Sequence, residues 1–236
     1  MSLRRFFASL AMTLALASAA SAQTGFISKV HSDGAKYVVF VPHDYKGDKA
    51  YPIILFLHGS GETGTDGEKQ AIVGLGKAIK KDEKSFPFLV VFPQSQKRTW
   101  KADSDDGKRA LAILDDVEKT YKVDLARQYL SGLSMGGFGT WSLAAAYPDR
   151  WAAIAPICGG GNPDTATKFK DIPCWNFHGD KDTAVNVEQS RKMIKALKDA
   201  GGSPRYTEMP GVGHNSWDAA YANPELYTWL LSNKKK

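Results

Sequence analysis

Cysteine is nearly absent from this chain, and so are repeats, low-complexity segments and long runs of one charge sign. Only Cys158 and Cys174 occur among the 236 residues. They fall on two strands expected to be parallel neighbours, one near its carboxyl end and the other near its amino end. At about 3.3 Å per residue they are then displaced by roughly 10 Å or more along the strands, beyond disulfide reach. Both read as small buried apolar residues. No basic stripe interleaved with aromatics is present; lysines alternate with acids, as in Lys80-Lys81-Asp82-Glu83-Lys84, so nucleic acid is not an expected partner. The most apolar run, Phe6 to Ala19, is too short and too rich in small residues for a membrane span.

That run has another reading. Arg4 and Arg5 precede it, and Ala20-Ser21-Ala22 follows as a small-residue cleavage signature before Gln23. Residues 1–22 therefore read as a signal peptide and residues 23–236 as one catalytic domain, placed outside the cytoplasm, secreted or periplasmic. No cysteine follows the cleavage point, so no lipid anchor is expected. Loss of Arg4 and Arg5 lowers the formal charge from +6 to +4.

The whole chain is 43% hydrophobic and 11% aromatic, enough to bury a substantial core. Continuous apolar runs, Ile53 to Leu57 and Phe88 to Phe92, have the character of strands buried on both faces. Phe26–Val30 and Lys36–Val41 read as a hairpin turning through Ser32-Asp33-Gly34. Further strands are expected at 128–133, 151–157, 172–177 and 205–209. Helices are expected at 68–80, 105–121, 138–147, 187–200 and 217–231. This alternation predicts a mostly parallel sheet covered by helices on both faces, with ligands at the carboxyl ends of its strands.

Four polar segments end such strands, and all would meet at that edge. They are His58-Gly59-Ser60-Gly61-Glu62, Gly132-Leu133-Ser134-Met135-Gly136, His178-Gly179-Asp180-Lys181-Asp182 and Gly213-His214-Asn215-Ser216-Trp217. The second is a Gly-x-Ser-x-Gly run between a strand and a helix. A serine at such a turn holds a strained backbone while glycines remove the clashing Cβ atoms, and the helix start behind it offers free N–H groups to an oxyanion. A serine hydroxyl also needs a base within hydrogen-bond reach, and a group that orients the base. His214 is the candidate base. Asp182 and Asp180 share one loop as candidates to orient it.

Together with Pro156-Ile157-Cys158-Gly159-Gly160, these segments make the chain resemble an α/β-hydrolase, whose nucleophile, acid and histidine follow in the order 134, 182, 214. More narrowly it is similar to small secreted carboxylesterases, also labelled "predicted peptidases", related to dienelactone hydrolases and polyhydroxybutyrate depolymerases. The resemblance implies an α/β-hydrolase fold with a mostly parallel twisted sheet of about eight strands and no lid domain. It also implies an exported serine carboxylesterase acting on short acyl or aryl esters through an acyl-enzyme on Ser134. Its His-Gly-x-x-Asp pattern favours Asp182 over Asp180. The oxyanion hole would use the Met135 and Ser60 amides, and Trp100 and Trp217 would wall the substrate pocket. No cofactor or metal is expected; the partner would be a small ester, or an ester-decorated polysaccharide. Three alternatives stay open: a serine peptidase, an acetyl or feruloyl esterase on plant polysaccharide, and a binding protein on the same scaffold. Only about a dozen residues, Gly159 to Asp171, separate two strands where many lipases insert a lid, so no interfacial activation is expected.

Overall fold

The computed structural model describes residues 23–235, so the segment read as a signal peptide lies outside the described residues. Eight strands form one sheet, β1 (Gly25–Val30), β2 (Lys36–Val41), β3 (Tyr51–Leu57), β4 (Leu89–Pro93), β5 (Val123–Leu133), β6 (Ala153–Ile157), β7 (Trp175–Gly179) and β8 (Arg205–Met209). Their spatial order is β1-β2-β4-β3-β5-β6-β7-β8. The β1–β2 and β2–β4 pairs are antiparallel and the other five pairs are parallel.

Successive side chains of a strand face opposite ways, and here both faces are apolar. Ile53, Leu55 and Leu57 of β3 enter one core with α2 (Asp105–Thr120), α3 (Met135–Ala146) and α4 (Glu188–Asp199). Ile54 and Phe56 enter the other with α1 (Leu75–Ile79), α5 (Ser216–Ala222) and α6 (Pro224–Ser232). Covering both faces explains why the central strands are unbroken apolar runs rather than alternating ones.

Two expected helices are shorter than the apolar spacing implies. Residues 68–80 form a 3-10 turn at Lys69–Ala71 and then α1, because Gly74 between them has φ +51° and leaves the helical region. Residues 217–231 divide at Asn223-Pro224. Pro224 disfavours a helical Asn223, and the Asn223 side chain instead accepts from the Glu225 amide to start α6. Cys158 and Cys174 are both free and buried. Ile154 bridges Cys174 and Ile157 pairs with Phe177, which keeps the two cysteines staggered on β6 and β7.

Packing of α3 against β3 fixes what may stand beside Ser134. A Cβ on Gly136 would lie 1.9 Å from the Leu57 carbonyl oxygen, and both partners are backbone. Gly136→Ala is therefore expected to lose about 1–3 kcal/mol through forced separation of α3 from β3. The urea midpoint measures this; a wild-type midpoint would mean that α3 can retreat freely.

Candidate active site

Four strand ends meet at the carboxyl edge of the sheet. β5 ends in Ser134, which stands at φ +53° and ψ −117° immediately before the first turn of α3. A non-glycine residue there stores roughly 1–3 kcal/mol of strain, held by the packing around it. The Ser134 amide donates to the Ile157 carbonyl at 2.9 Å, tying the turn to the end of β6. Its hydroxyl is left facing the loop that follows β8.

On that loop, His214 Nε2 lies 2.9 Å from Ser134 Oγ, and His214 Nδ1 lies 2.7 Å from Asp182 Oδ2. The Asp182 side chain is fully buried on the loop after β7. Burial pushes its carboxyl up, but hydrogen bonds from His214 and from the Val185 and Ala184 amides outweigh it and hold the group below its ordinary value. An ionised Asp182 assigns the proton to Nδ1 of His214, so Nε2 is free to accept from the serine hydroxyl. Asp180 turns elsewhere, accepting from the Gly211 amide at 2.7 Å.

The Met135 and Ser60 amides open α3 and the 3-10 turn Ser60–Glu62, and neither donates to a protein acceptor among the described residues. First-turn N–H groups have no partner within their own helix, which leaves both available to an anionic oxygen. Glu62 stands beside them. Burial raises its carboxyl, partly offset by the Gly59 amide, so it serves the backbone of the loop.

Trp217 is half-buried and meets the His214 ring edge-on, with centroids 5.2 Å apart. Trp100 is a correction to the expected pocket wall. It is 2% exposed, its indole N–H donates to the His58 carbonyl at 3.0 Å, and its ring packs edge-on to His58. It supports the His58–Glu62 loop from beneath. His58 itself accepts from the Ser95 amide at Nε2, so Nδ1–H donates to the Gly59 carbonyl at 2.6 Å. Burial pulls its pKa down to about 4, which keeps it neutral in this role.

Two further residues of the quoted segments pack around Asp182. His178 is fully buried, with Nε2 2.9 Å from the Val185 carbonyl and 3.1 Å from Asp182 Oδ2. Its Nδ1 lies 2.7 Å from Ser190 Oγ, whose hydroxyl is in turn 3.1 Å from the Gly159 carbonyl. His178 thus braces the loop that carries Asp182. Cys158, at φ +40°, places a buried Sγ within 4.8 Å of Asp182 and His214. These three side chains come near enough to share a metal ion, but the donor set suits one poorly. Burial pushes the thiol up to about 12, so it keeps its proton, while the carboxylate and imidazole are bound to each other.

The same burial makes a testable statement about reactivity. Native protein at pH 8 is expected to release no thionitrobenzoate from Ellman's reagent, whereas denatured protein should titrate two thiols. A fast-reacting thiol in the native state would mean that the wall around Cys158 opens.

The chain matches the family model described as "Putative esterase" over residues 28–209. It is 32% identical over 146 residues to a bifunctional acetylxylan esterase/xylanase of Neocallimastix patriciarum, covering 60% of this chain and 21% of that protein. It is 34% identical over 147 residues to a poly(3-hydroxyalkanoate) depolymerase C of Paucimonas lemoignei, covering 57% of this chain and 34% of that protein. The matched segments are thus about a fifth and a third of those two relatives. Among solved structures, a thermostable esterase superposes with a TM-score of 0.81 at 33% identity, over 89% of this chain and 63% of its own. The fold is that of the α/β-hydrolases, an eight-stranded, mostly parallel sheet flanked by helices.

Proposed function

Because the chain belongs to the putative esterase family, we propose that it is a serine carboxylesterase that hydrolyses short acyl or aryl esters through an acyl-enzyme on Ser134. The observation that carries this is the hydrogen-bonded line from Ser134 Oγ through His214 to the buried Asp182 carboxylate. Ser134 Oγ attacks the ester carbonyl as Nε2 of His214 takes its proton. Asp182 steadies the imidazolium that results, and the Met135 and Ser60 amides receive the oxyanion. Collapse expels the alcohol, protonated by His214. A water activated by the same nitrogen then releases the acid. Residues 23–236 supply this chemistry as one catalytic domain, and export by the leader in residues 1–22 belongs to the same proposal.

The ester is supported over the amide as the bond cleaved, since the matching family model is described as a putative esterase and one relative is named an acetylxylan esterase. The acetylxylan esterase relative also favours an ester carried on a polysaccharide as a second reading.

A p-nitrophenyl ester series from acetate upward, run beside acetylated and feruloylated sugars and a peptide amide, tests the proposal. Turnover of the amide and not of the esters would replace it with the peptidase. The same series tests how the site opens. The segment between β6 and β7 is a 3-10 turn at Pro163–Lys168, capped by the Asn162 side chain and anchored by buried Ala166 and Phe169. A ligand or interface shifts an equilibrium only where two states differ in affinity, and this tethered turn offers no open and closed pair. The rate is therefore expected to saturate smoothly with soluble butyrate ester. A jump at the solubility limit would reveal a lid.

A further inference from the structure

A cleft of about 450 Å³ runs along α3 between the loop after β4 and the 3-10 turn after β6. It begins at Phe138, one helical turn beyond Ser134, and continues past Trp141 to Ala145. At a rise of about 1.5 Å per residue it thus extends from roughly 6 Å to 16 Å along the helix from the nucleophile. Gly160, two residues beyond Cys158, lines its near end, which places the cleft beside the loop that follows β6.

Three features characterise its chemistry. Its floor is apolar, and Phe138 is 40% exposed there, which leaves one face of its ring open to a ligand. Its rim carries Lys101, Asp103 and Lys168, which are all exposed and make no ion pair or side-chain hydrogen bond among the described residues. Trp141, a lining residue only 1% exposed, has an indole N–H with no acceptor among the described residues.

A ligand for this surface needs an apolar face for the Phe138 ring, acceptors for the lysines and a donor for Asp103. A polyester chain supplies acceptors and apolar groups but no donor. A sugar ring supplies all three, with its C–H face against the aromatic and hydroxyls that both donate and accept. We propose that the cleft along α3 is a binding site for a neutral oligosaccharide, holding sugar units that adjoin the one bearing the ester. This rests on the esterase reading for its use in catalysis, though not for the binding itself. The ester bond sits at Ser134, and the glycan on the alcohol side extends along α3 toward Ala145. Binding energy gathered there positions the ester without touching the reacting atoms.

Two measurements test it separately from the chemistry at Ser134. First, unesterified xylohexaose is titrated into Ser134→Ala protein while the indole N–H signals are followed by NMR, with Trp141→Phe to assign the resonance. The Trp141 signal should move and saturate, whereas those of Trp175 and Trp229, on the other face of the sheet, should stay. A Trp141 signal unmoved at millimolar sugar overturns the proposal, as does one that moves with a soluble hydroxybutyrate oligomer and not with xylohexaose. Second, Ala145→Trp fills the far end of the cleft. The ratio of KM for acetylated xylohexaose to KM for p-nitrophenyl acetate should rise at least fivefold over wild type. An unchanged ratio overturns the proposal. Absence of all ester turnover by wild type would instead overturn the esterase reading and leave the NMR result to decide the cleft.

Discussion

Ser134→Ala is expected to lower kcat on p-nitrophenyl acetate by roughly 10³-fold or more, with the melting temperature nearly unchanged. The size of the loss follows from what is removed. Oγ is the atom 2.9 Å from His214 Nε2, and no other hydroxyl in the described structure is hydrogen-bonded to that nitrogen. What survives is water attacking an ester held by the oxyanion donors and the surrounding surface, which alone accelerates far less than the complete line. Retention of the fold follows from what is kept. Alanine has the same Cβ as serine, so the strain at φ +53° is no greater, and Ser134 makes no side-chain cap to α3 that would be lost. The Ser134 amide still donates to the Ile157 carbonyl. An active Ser134→Ala protein with a wild-type melting curve would place the nucleophile elsewhere and remove the basis for reading His214 as its base.

Much of the architecture was legible because the strongest signals in the sequence are also the strongest forces in the fold. Runs such as Ile53–Leu57 can only be stable when covered on both faces, and alternation with helices then dictates a parallel sheet. The polar segments are legible for a related reason. His58, Ser134 and His178 sit at or just past the ends of β3, β5 and β7, His214 lies on the loop after β8, and a parallel sheet brings those ends to one edge. What misled is local. The spacing of apolar residues over 68–80 and 217–231 predicts helices, yet Gly74 and Asn223-Pro224 interrupt them. Those interruptions are visible in sequence, but their effect depends on whether the surrounding core overrides them. Trp100 is a different case. A tryptophan on a loop after a strand looks the same whether its ring faces solvent or folds beneath the loop. Only the acceptor at the His58 carbonyl decides it. The pairing of His178 with Asp182 depends on how one short loop turns, and the approach of Cys158 to Asp182 and His214 on how separate strand ends meet.

The two aspartates on the loop after β7 are expected to differ sharply when each is made asparagine. Asp182→Asn preserves size and leaves an oxygen for the Ala184 and Val185 amides, which donate to Oδ1 at 2.9 and 2.8 Å. The group at the Oδ2 position becomes an amide N–H₂. It then faces His214 Nδ1, whose 2.7 Å contact required an acceptor. The imidazole answers by moving its proton to Nε2, and a protonated Nε2 cannot take the hydroxyl proton of Ser134. The amide N–H₂ also confronts His178 Nε2, already 3.1 Å away, so the brace behind the loop loosens as well. Together these are expected to cost roughly 10²- to 10⁴-fold in kcat. Asp180→Asn asks for much less. Its single recorded partner is the Gly211 amide, which donates to Oδ1, and asparagine keeps that oxygen. Surface substitutions that retain their contact usually change stability by no more than about 0.5 kcal/mol, and Asp180 makes no recorded contact to His214 through which kcat would fall. Measured kcat values for the pair, each normalised to folded protein, decide the assignment. If Asp180→Asn proves the more damaging, the acid of the triad is Asp180 in the working enzyme, and the loop must rearrange from the Asp182–His214 contact before turnover.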